Sequence, residues 1–164
     1  VEDVIKVFYE VQKEIPSKLL MIGEGPEREK AETLAKKLGI KDKVFFLGNS
    51  TEIIRILCYS DVFLLPSQTE SFGLAALEAM AAKTAIISTN TGGLPEVNIH
   101  GETGYLSNLG DIADMAKNAI SILKEDAILE RFKQNAKEHT KRFSIKNILP
   151  VYEDIYKSCY KNKV

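Results

Sequence analysis

Apolar residues recur at helical spacing from Val4 and Ile5 through Phe8 and Val11 to Ile15, and Pro16-Ser17 closes the segment, which predicts an opening amphipathic helix. Leu19-Leu20-Met21-Ile22 is wholly apolar and runs into Gly23-Glu24-Gly25-Pro26, the pattern of a buried strand and a tight turn. The alternation then repeats. Glu27 to Leu38 reads as a helix stopped by Gly39, with Pro26 suited to its first turn, and Val44 to Leu47 as a strand ending at Gly48-Asn49. Ile53 to Tyr59 predicts a short helix, Asp61 to Leu65 a strand ending at Pro66-Ser67, Phe72 to Ala82 a helix and Ala85 to Ser88 a strand. A Gly92-Gly93 loop leads to a brief helical piece at Pro95 to Ile99, and Gly101 and Gly104 bracket a turn before Tyr105-Leu106. The last third is helical, over Ile112–Leu123, Ala127–Thr140 and Ser144 to about Tyr160, with a kink expected at Pro150.

Strands that are apolar on both faces, alternating with helices, predict an α/β fold. Its sheet is Rossmann-like, doubly wound, mostly parallel and covered on both sides, with a helical C-terminal segment. Ligands of such sheets bind beyond the carboxyl ends of the strands. The loops Gly23–Pro26, Leu47–Ser50, Pro66–Gly73 and Ser88–Leu94 are therefore where chemistry is expected. A length of 164 residues suits one domain, and 45% hydrophobic with 27% charged residues excludes a disordered or fibrous chain. Lys plus Arg number 22 against 23 Asp plus Glu, which removes the electrostatic case for nucleic acid or an anionic membrane as main partner. Apolar runs such as Val62–Leu65 and Ala79–Ala82 are far shorter than a membrane span. Two cysteines, Cys58 and Cys159, form no disulfide framework; they imply a reducing compartment, the cytoplasm, and are expected as packed or half-exposed thiols. Neither a Ser-His-Asp or Cys-His arrangement nor a metal-ligand cluster or phosphate-binding Walker loop is present in the sequence.

The segment from Phe72 through Ala82 contains one charged residue, Glu78, and a helix apolar on every face is expected to be buried. A carboxylate there needs hydrogen bonds in place of water. Lys83 lies five positions on, about 140° around the helix, and is a poor partner. Two readings stay open. Glu78 faces the crevice and grips a ligand diol with its two oxygens, or it binds backbone amides or a distant Arg for structural reasons. Ser71-Phe72-Gly73 stands where the helix is expected to begin, so its free N–H groups offer a phosphate site, or Ser71 simply caps the helix. Glu70, in the same loop, suits a neutral polyol such as a sugar, or solvent.

At this point the chain resembles a known family. Glu70-Ser71-Phe72-Gly73-Leu74 with Glu78-Ala79-Met80, then Thr91-Gly92-Gly93-Leu94-Pro95-Glu96-Val97, and Gly101-x-x-Gly104-Tyr105-Leu106, are similar to the donor-binding half of retaining glycosyltransferases of family four, which have the GT-B fold. Two glutamates flanking seven residues are that family's signature, and Gly23-Glu24-Gly25-Pro26 and Phe46-Leu47-Gly48 match two further loops. The resemblance implies that Glu78 binds the ribose hydroxyls of a UDP-sugar donor and that Glu70, as catalytic-site residue, contacts the donor sugar. It implies backbone contacts to sugar and diphosphate from Phe72, Gly73 and Leu74, with Ser71 also at the donor site. Leu47, Gly48 and Asn49 would border the base, Gly23 and Gly25 would line the donor site, and Gly92 and Gly93 would let their loop approach. Neither metal nor cofactor is implied. Within the family, the run from Gly93 to Leu106 is most similar to the branch that joins N-acetylglucosamine to L-malate in bacillithiol biosynthesis, with His100 expected to cap a turn.

Two departures stand out. The family's small-Gly-x-Pro turn after the helix is replaced by Ala82-Lys83-Thr84-Ala85, and no residue here matches its Arg and Lys diphosphate clamp. The resemblance thus implies a fragment, residues 1–164, lacking the first strand of the donor domain and the acceptor domain that would hold a small-molecule acceptor. It is expected to be inactive alone and prone to homo-oligomerise; the apolar stripe of its last helix is expected to pack on its own sheet, with partial exposure as the alternative. A sugar-nucleotide epimerase of the same fold and a non-catalytic nucleotide-binding module are the alternatives.

Overall fold

The opening helix α1 (Glu2–Glu14) straddles two cores: Val7 and Val11 pack with one set of residues and Ile5 and Phe8 with another. The structure is a computed structural model describing residues 1–161; the remainder of the domain expected over 1–164, residues 162–164, lies outside the described residues. After α1 the chain forms β1 (Leu19–Ile22), α2 (Arg28–Lys37), β2 (Val44–Gly48), α3 (Ile53–Cys58), β3 (Val62–Leu65), α4 (Leu74–Ala81) and β4 (Ala85–Thr89). Then follow α5 (Leu94–Val97), β5 (Gly104–Ser107), α6 (Ile112–Leu123), α7 (Asp126–Thr140) and α8 (Ile145–Lys161).

Every named strand pairing is parallel. The strands form two pieces, β1-β2 and β3-β4-β5, in place of the single sheet expected from the sequence. In the larger piece β4 is central and buried throughout, and its alternate residues serve opposite faces. Ala85 and Ile87 join the core under α1, α6 and α7, whereas Ile86 joins Ala76, Ala79, Met80 and Leu94 beneath α4 and α5. This piece is doubly wound, as its doubly apolar strands predict.

The smaller piece departs from that expectation. Leu19, Met21, Val44 and Phe46 pack against α1 and α2, but Leu20, Phe45 and Leu47 are 42%, 39% and 44% exposed. Leu20 and Phe45 are register partners on this open face, so β1-β2 is covered on one side only among the described residues. The apolar stripe of α8, including Leu149, Tyr152, Ile155 and Tyr156, is exposed and does not pack on the sheet as expected, and the helix runs through Pro150. Cys58 and Cys159 are both exposed thiols, not packed ones, because each sits on the solvent side of its helix.

The turn without the family's glycine and proline carries a measurable cost. Lys83 has φ of 67°, the left-handed region, and is the non-glycine residue with that conformation among the described residues. It occupies the position after α4 where glycine is preferred, with its N–H donating to Met80 O at 2.9 Å and Thr84 N–H donating to Ala79 O at 3.0 Å. Its ammonium reaches Glu130 of α7, and that hydrogen bond, with the Lys83 charge, holds the Glu130 carboxyl below the usual carboxylate range. Both groups are solvated, so their pairing offsets little of the backbone strain. Lys83→Gly is expected to relieve about 1 kcal/mol of strain and raise the thermal midpoint by about 2–4 °C, read by calorimetric melting.

Candidate functional site

The loop between β3 and α4 holds the first cluster. The helix expected from Phe72 starts at Leu74, because Gly73 takes φ of 99° and breaks the helical path. Ser71 is therefore exposed and not the cap. Gly73 itself is the N-cap, without a side-chain cap, and Glu70 Oε1 accepts a hydrogen bond from Gly73 N–H at 3.1 Å, placing a half-buried carboxylate near the amino end of α4. Phe72 packs edge-on against Phe143 at 5.8 Å between centroids, which anchors the loop to the segment after α7.

The loop after β4 lies directly on the first. Gly93 N–H donates to Glu70 O at 3.1 Å, and Thr89 Oγ1 donates to Ser67 O at 2.6 Å. The contact has no room for a side chain: a Cβ on Gly92 would sit 1.7 Å from Glu70 O, and one on Gly93 would sit 2.5 Å from Ser71 O. The two glycines thus bring the loops together.

The loops after β1 and β2 form a second pair. Gly23 N–H donates to Gly48 O at 2.8 Å, and a Cβ on Gly48 would sit 2.8 Å from Glu24 Oε1. Leu47 and Asn49 are exposed beside them, and Gly25 has open space around it. Pro26 lies before α2, not within its first turn. Arg28 is the cation that reaches this loop, but it is engaged by Glu24 and by Glu32 at 2.8 Å, with the Phe46 ring 5.7 Å away. The Glu32 hydrogen bond, with the charges of both carboxylates, raises the guanidinium further above its ordinary value.

Glu78 departs most directly from the expectation of a buried carboxylate. It is exposed, and among the described residues its carboxylate makes no hydrogen bond or ion pair, so no structural partner is found either. The reason lies in the helix. Leu74, Ala75, Glu78 and Ala81 recur at one-turn spacing and form an open face, while Ala76, Ala79 and Met80 pack inward. A run of alanines is apolar in composition yet costs little when half of it faces water. Leu74, 64% exposed, shares this face with Glu78 one turn away.

A group that sequence reasoning misses sits under the second loop. Asn98 is fully buried; its Nδ2 donates to Ser88 Oγ at 2.9 Å and to Tyr105 O at 3.1 Å, and its Oδ1 accepts from Thr103 Oγ1 at 3.0 Å. A polar residue between the apolar Val97 and Ile99 is the available signal. His100 caps the neighbouring turn as expected, its Nδ1 accepting from Leu106 N–H at 3.1 Å. Among the described residues no helix is long and apolar enough to cross a membrane, and no three His, Cys, Asp or Glu side chains gather as a metal site.

Comparison with known proteins places this arrangement. The sequence profile of the family described as "Glycosyl transferases group 1" matches residues 1–139. The chain is 41% identical over 157 residues to N-acetyl-alpha-D-glucosaminyl L-malate synthase of Bacillus anthracis, covering 95% of this chain and 41% of that protein. It is 32% identical to 2-deoxystreptamine N-acetyl-D-glucosaminyltransferase of Niallia circulans, covering 92% of this chain and again 41% of the relative. The chain thus spans about two fifths of the length of each relative. Among solved structures, a point mutant of S. aureus TarM, crystallised with Fondaparinux, alpha-GlcNAc-glycerol and UDP, superposes with a TM-score of 0.87 at 24% identity, over 94% of this chain and 32% of that one.

Proposed function

This chain belongs to the group 1 glycosyl transferases, and from that premise we propose that it is the nucleotide-sugar-binding part of a retaining, metal-independent, cytoplasmic hexosyltransferase. The donor in this reading is a UDP-sugar, UDP-N-acetylglucosamine, and the acceptor is a small molecule such as L-malate. The two relatives whose names specify N-acetylglucosamine transfer support that donor, and UDP in the TarM crystal supports the nucleotide. The observation that carries the reading is the joined pair of loops at the carboxyl ends of β3 and β4, with Glu70 at the entrance of α4 and Glu78 on its open face.

Each residue has a task that its surroundings allow. Glu78, free and solvated, has both oxygens available for the two ribose hydroxyls, and ligand binding excludes water from a carboxylate that needs no prior release from a partner. Leu74 on the same face offers apolar cover. Glu70 keeps one oxygen on Gly73 N–H, which fixes its side chain while the other is left for a sugar hydroxyl. The remaining amides at the head of α4 and the positive end of its dipole favour the diphosphate. Gly23, Gly25, Leu47, Gly48 and Asn49 border the base, and Gly92 and Gly93 shape the sugar side.

Diphosphate neutralisation needs cations, and Arg28, beside the base loops, is already held by two carboxylates. We expect the polypeptide alone to show no sugar transfer and the acceptor half to lie in a longer protein. In a full-length enzyme carrying this domain, Glu78→Ala is expected to lose about 1.5–3 kcal/mol of UDP binding, ten- to a hundredfold in affinity, by titration calorimetry. Unchanged UDP affinity would remove Glu78 from the ribose site and the reading with it.

A further inference from the structure

The inner face of α7 ends in a polar atom without a partner. Phe132 and Ala136 are buried along that face, His139 follows at the next turn, and Phe143 continues the series in the 3₁₀ turn Lys141–Phe143 beyond the helix. The Nε2 of His139 is sealed from solvent and makes no hydrogen bond among the described residues. Such a nitrogen lowers stability by comparison with a carbon in its place, so packing alone does not account for an imidazole here. What the ring does touch is Phe143, at 5.4 Å between centroids and 64° between planes. Phe143 in turn meets Phe72 at 5.8 Å and 75°. Three rings therefore run edge-on in series from α7 into the loop that carries Glu70.

We propose that His139 and Phe143 are positioning residues for the sugar end of the donor site, acting through Phe72. Phe72 is gripped on two sides. Its ring meets Phe143, and its Cα would lie 2.8 Å from a Cβ on Gly93, so the two loops close on it. Glu70 and Gly73 flank Phe72 and share the hydrogen bond from Gly73 N–H to Glu70 Oε1 at 3.1 Å. Any rotation or slide of Phe72 therefore carries the Glu70 carboxylate with it. Edge-on aromatic contacts fix the direction of a ring, where an aliphatic side chain of similar bulk leaves it free to turn. The base of the series is firm, because Ala136 is fully buried in the same core as Ala76, Ala79 and Met80 of α4. His139 is then a case of stability given up for geometry. Glu78, on the open face of α4, stands outside this series. The inference rests on the donor reading only for what Glu70 grips; the positioning of the loop holds with or without a nucleotide.

The test measures stability, loop order and affinity separately. In the 164-residue chain, His139→Leu is expected to raise the thermal midpoint by about 2–4 °C, since the unpaired nitrogen is gone. It is expected at the same time to speed hydrogen exchange about 10-fold in the segments 68–74 and 90–94, read by mass spectrometry. His139→Phe keeps a ring and leaves that exchange unchanged. Phe143→Leu speeds it and Phe143→Tyr restores it. In a full-length enzyme carrying this domain, both Leu variants weaken UDP-N-acetylglucosamine about 10-fold by titration calorimetry. Uridine, which reaches Glu78 and the base loops alone, weakens by less than about twofold in the same variants. Exchange unchanged in both Leu variants would overturn the proposal. So would a lowered His139→Leu midpoint, the mark of an ordinary packing residue, or equal weakening of uridine and the sugar donor, the mark of general loosening. If neither uridine nor the sugar donor binds the unaltered enzyme, the donor reading falls, while exchange and melting decide the positioning of the loop by themselves.

Discussion

Gly92→Ala is expected to part the two loops of the site and to destabilise the domain by about 3 kcal/mol or more. The added Cβ would lie 1.7 Å from Glu70 O and 2.9 Å from Glu70 C, both backbone atoms that no rotamer change can move aside. With φ at 56°, alanine at this position also bears left-handed strain. The Gly93 N–H bond to Glu70 O, 3.1 Å in the intact structure, has to break for the clash to clear. Glu70 then shifts together with its carboxylate hydrogen bond to Gly73 N–H, and the head of α4 loses its fixed geometry. On the donor reading, UDP-sugar affinity in a full-length enzyme falls on the order of 100-fold, because displacement of a positioning loop by about 1 Å is enough for that. Urea denaturation and titration calorimetry check the two effects separately. Gly25→Ala is the control for stability, since a Cβ there meets nothing within 4 Å.

What the residues alone reveal follows from how local each signal is. β4 is legible because Ala85-Ile86-Ile87 between turns has no environment but the interior, and all of it is buried. The Gly92-Gly93 loop is legible because paired glycines after a strand mark close backbone approach, and the approach is found at Glu70 and Ser71. Pattern reading fails where burial depends on a neighbour distant in sequence. Leu20 and Phe45 read as interior, yet among the described residues nothing covers that face of β1-β2. Glu78 reads as buried because Ala75 and Ala81 count as apolar, although alanine carries too little surface to decide which way a helix faces. The start of α4 lies two residues later than its periodicity suggests because Gly73 adopts a conformation that periodicity cannot foresee. Asn98 escapes notice since its three partners lie five to ten positions away and converge only after β4 and β5 pair.

Asn98 carries the second large effect. Replacement by Leu keeps the volume but removes both polar ends, leaving Ser88 Oγ and Tyr105 O without the amide donor in a site sealed from water, while the Thr103 hydroxyl keeps its hydrogen bond from Ile99 N–H. With a desolvation penalty of about 1–3 kcal/mol for each orphaned group and partial relaxation, Asn98→Leu is expected to lose about 3–5 kcal/mol by urea denaturation. Asn98→Asp separates loss of hydrogen bonds from loss of packing. The Asp Oδ1 still accepts from Thr103, and the Ser88 hydroxyl can turn to donate, but an ionised oxygen would face the Tyr105 carbonyl where the amide now donates at 3.1 Å. Burial and that carbonyl raise the folded-state pKa of the new carboxyl above its unfolded value. A raised folded pKa means the folded state holds the proton more tightly, so this stabilising contribution is fully present below the unfolded pKa and is lost as pH rises through the folded pKa. The deficit of Asn98→Asp against the native chain is therefore expected to be smaller at about pH 4.5 than at about pH 7.5, and denaturation curves at the two values check it. A deficit independent of pH would mean that the site opens to water and that the network does not lock β4, α5 and β5 beneath the glycine loop.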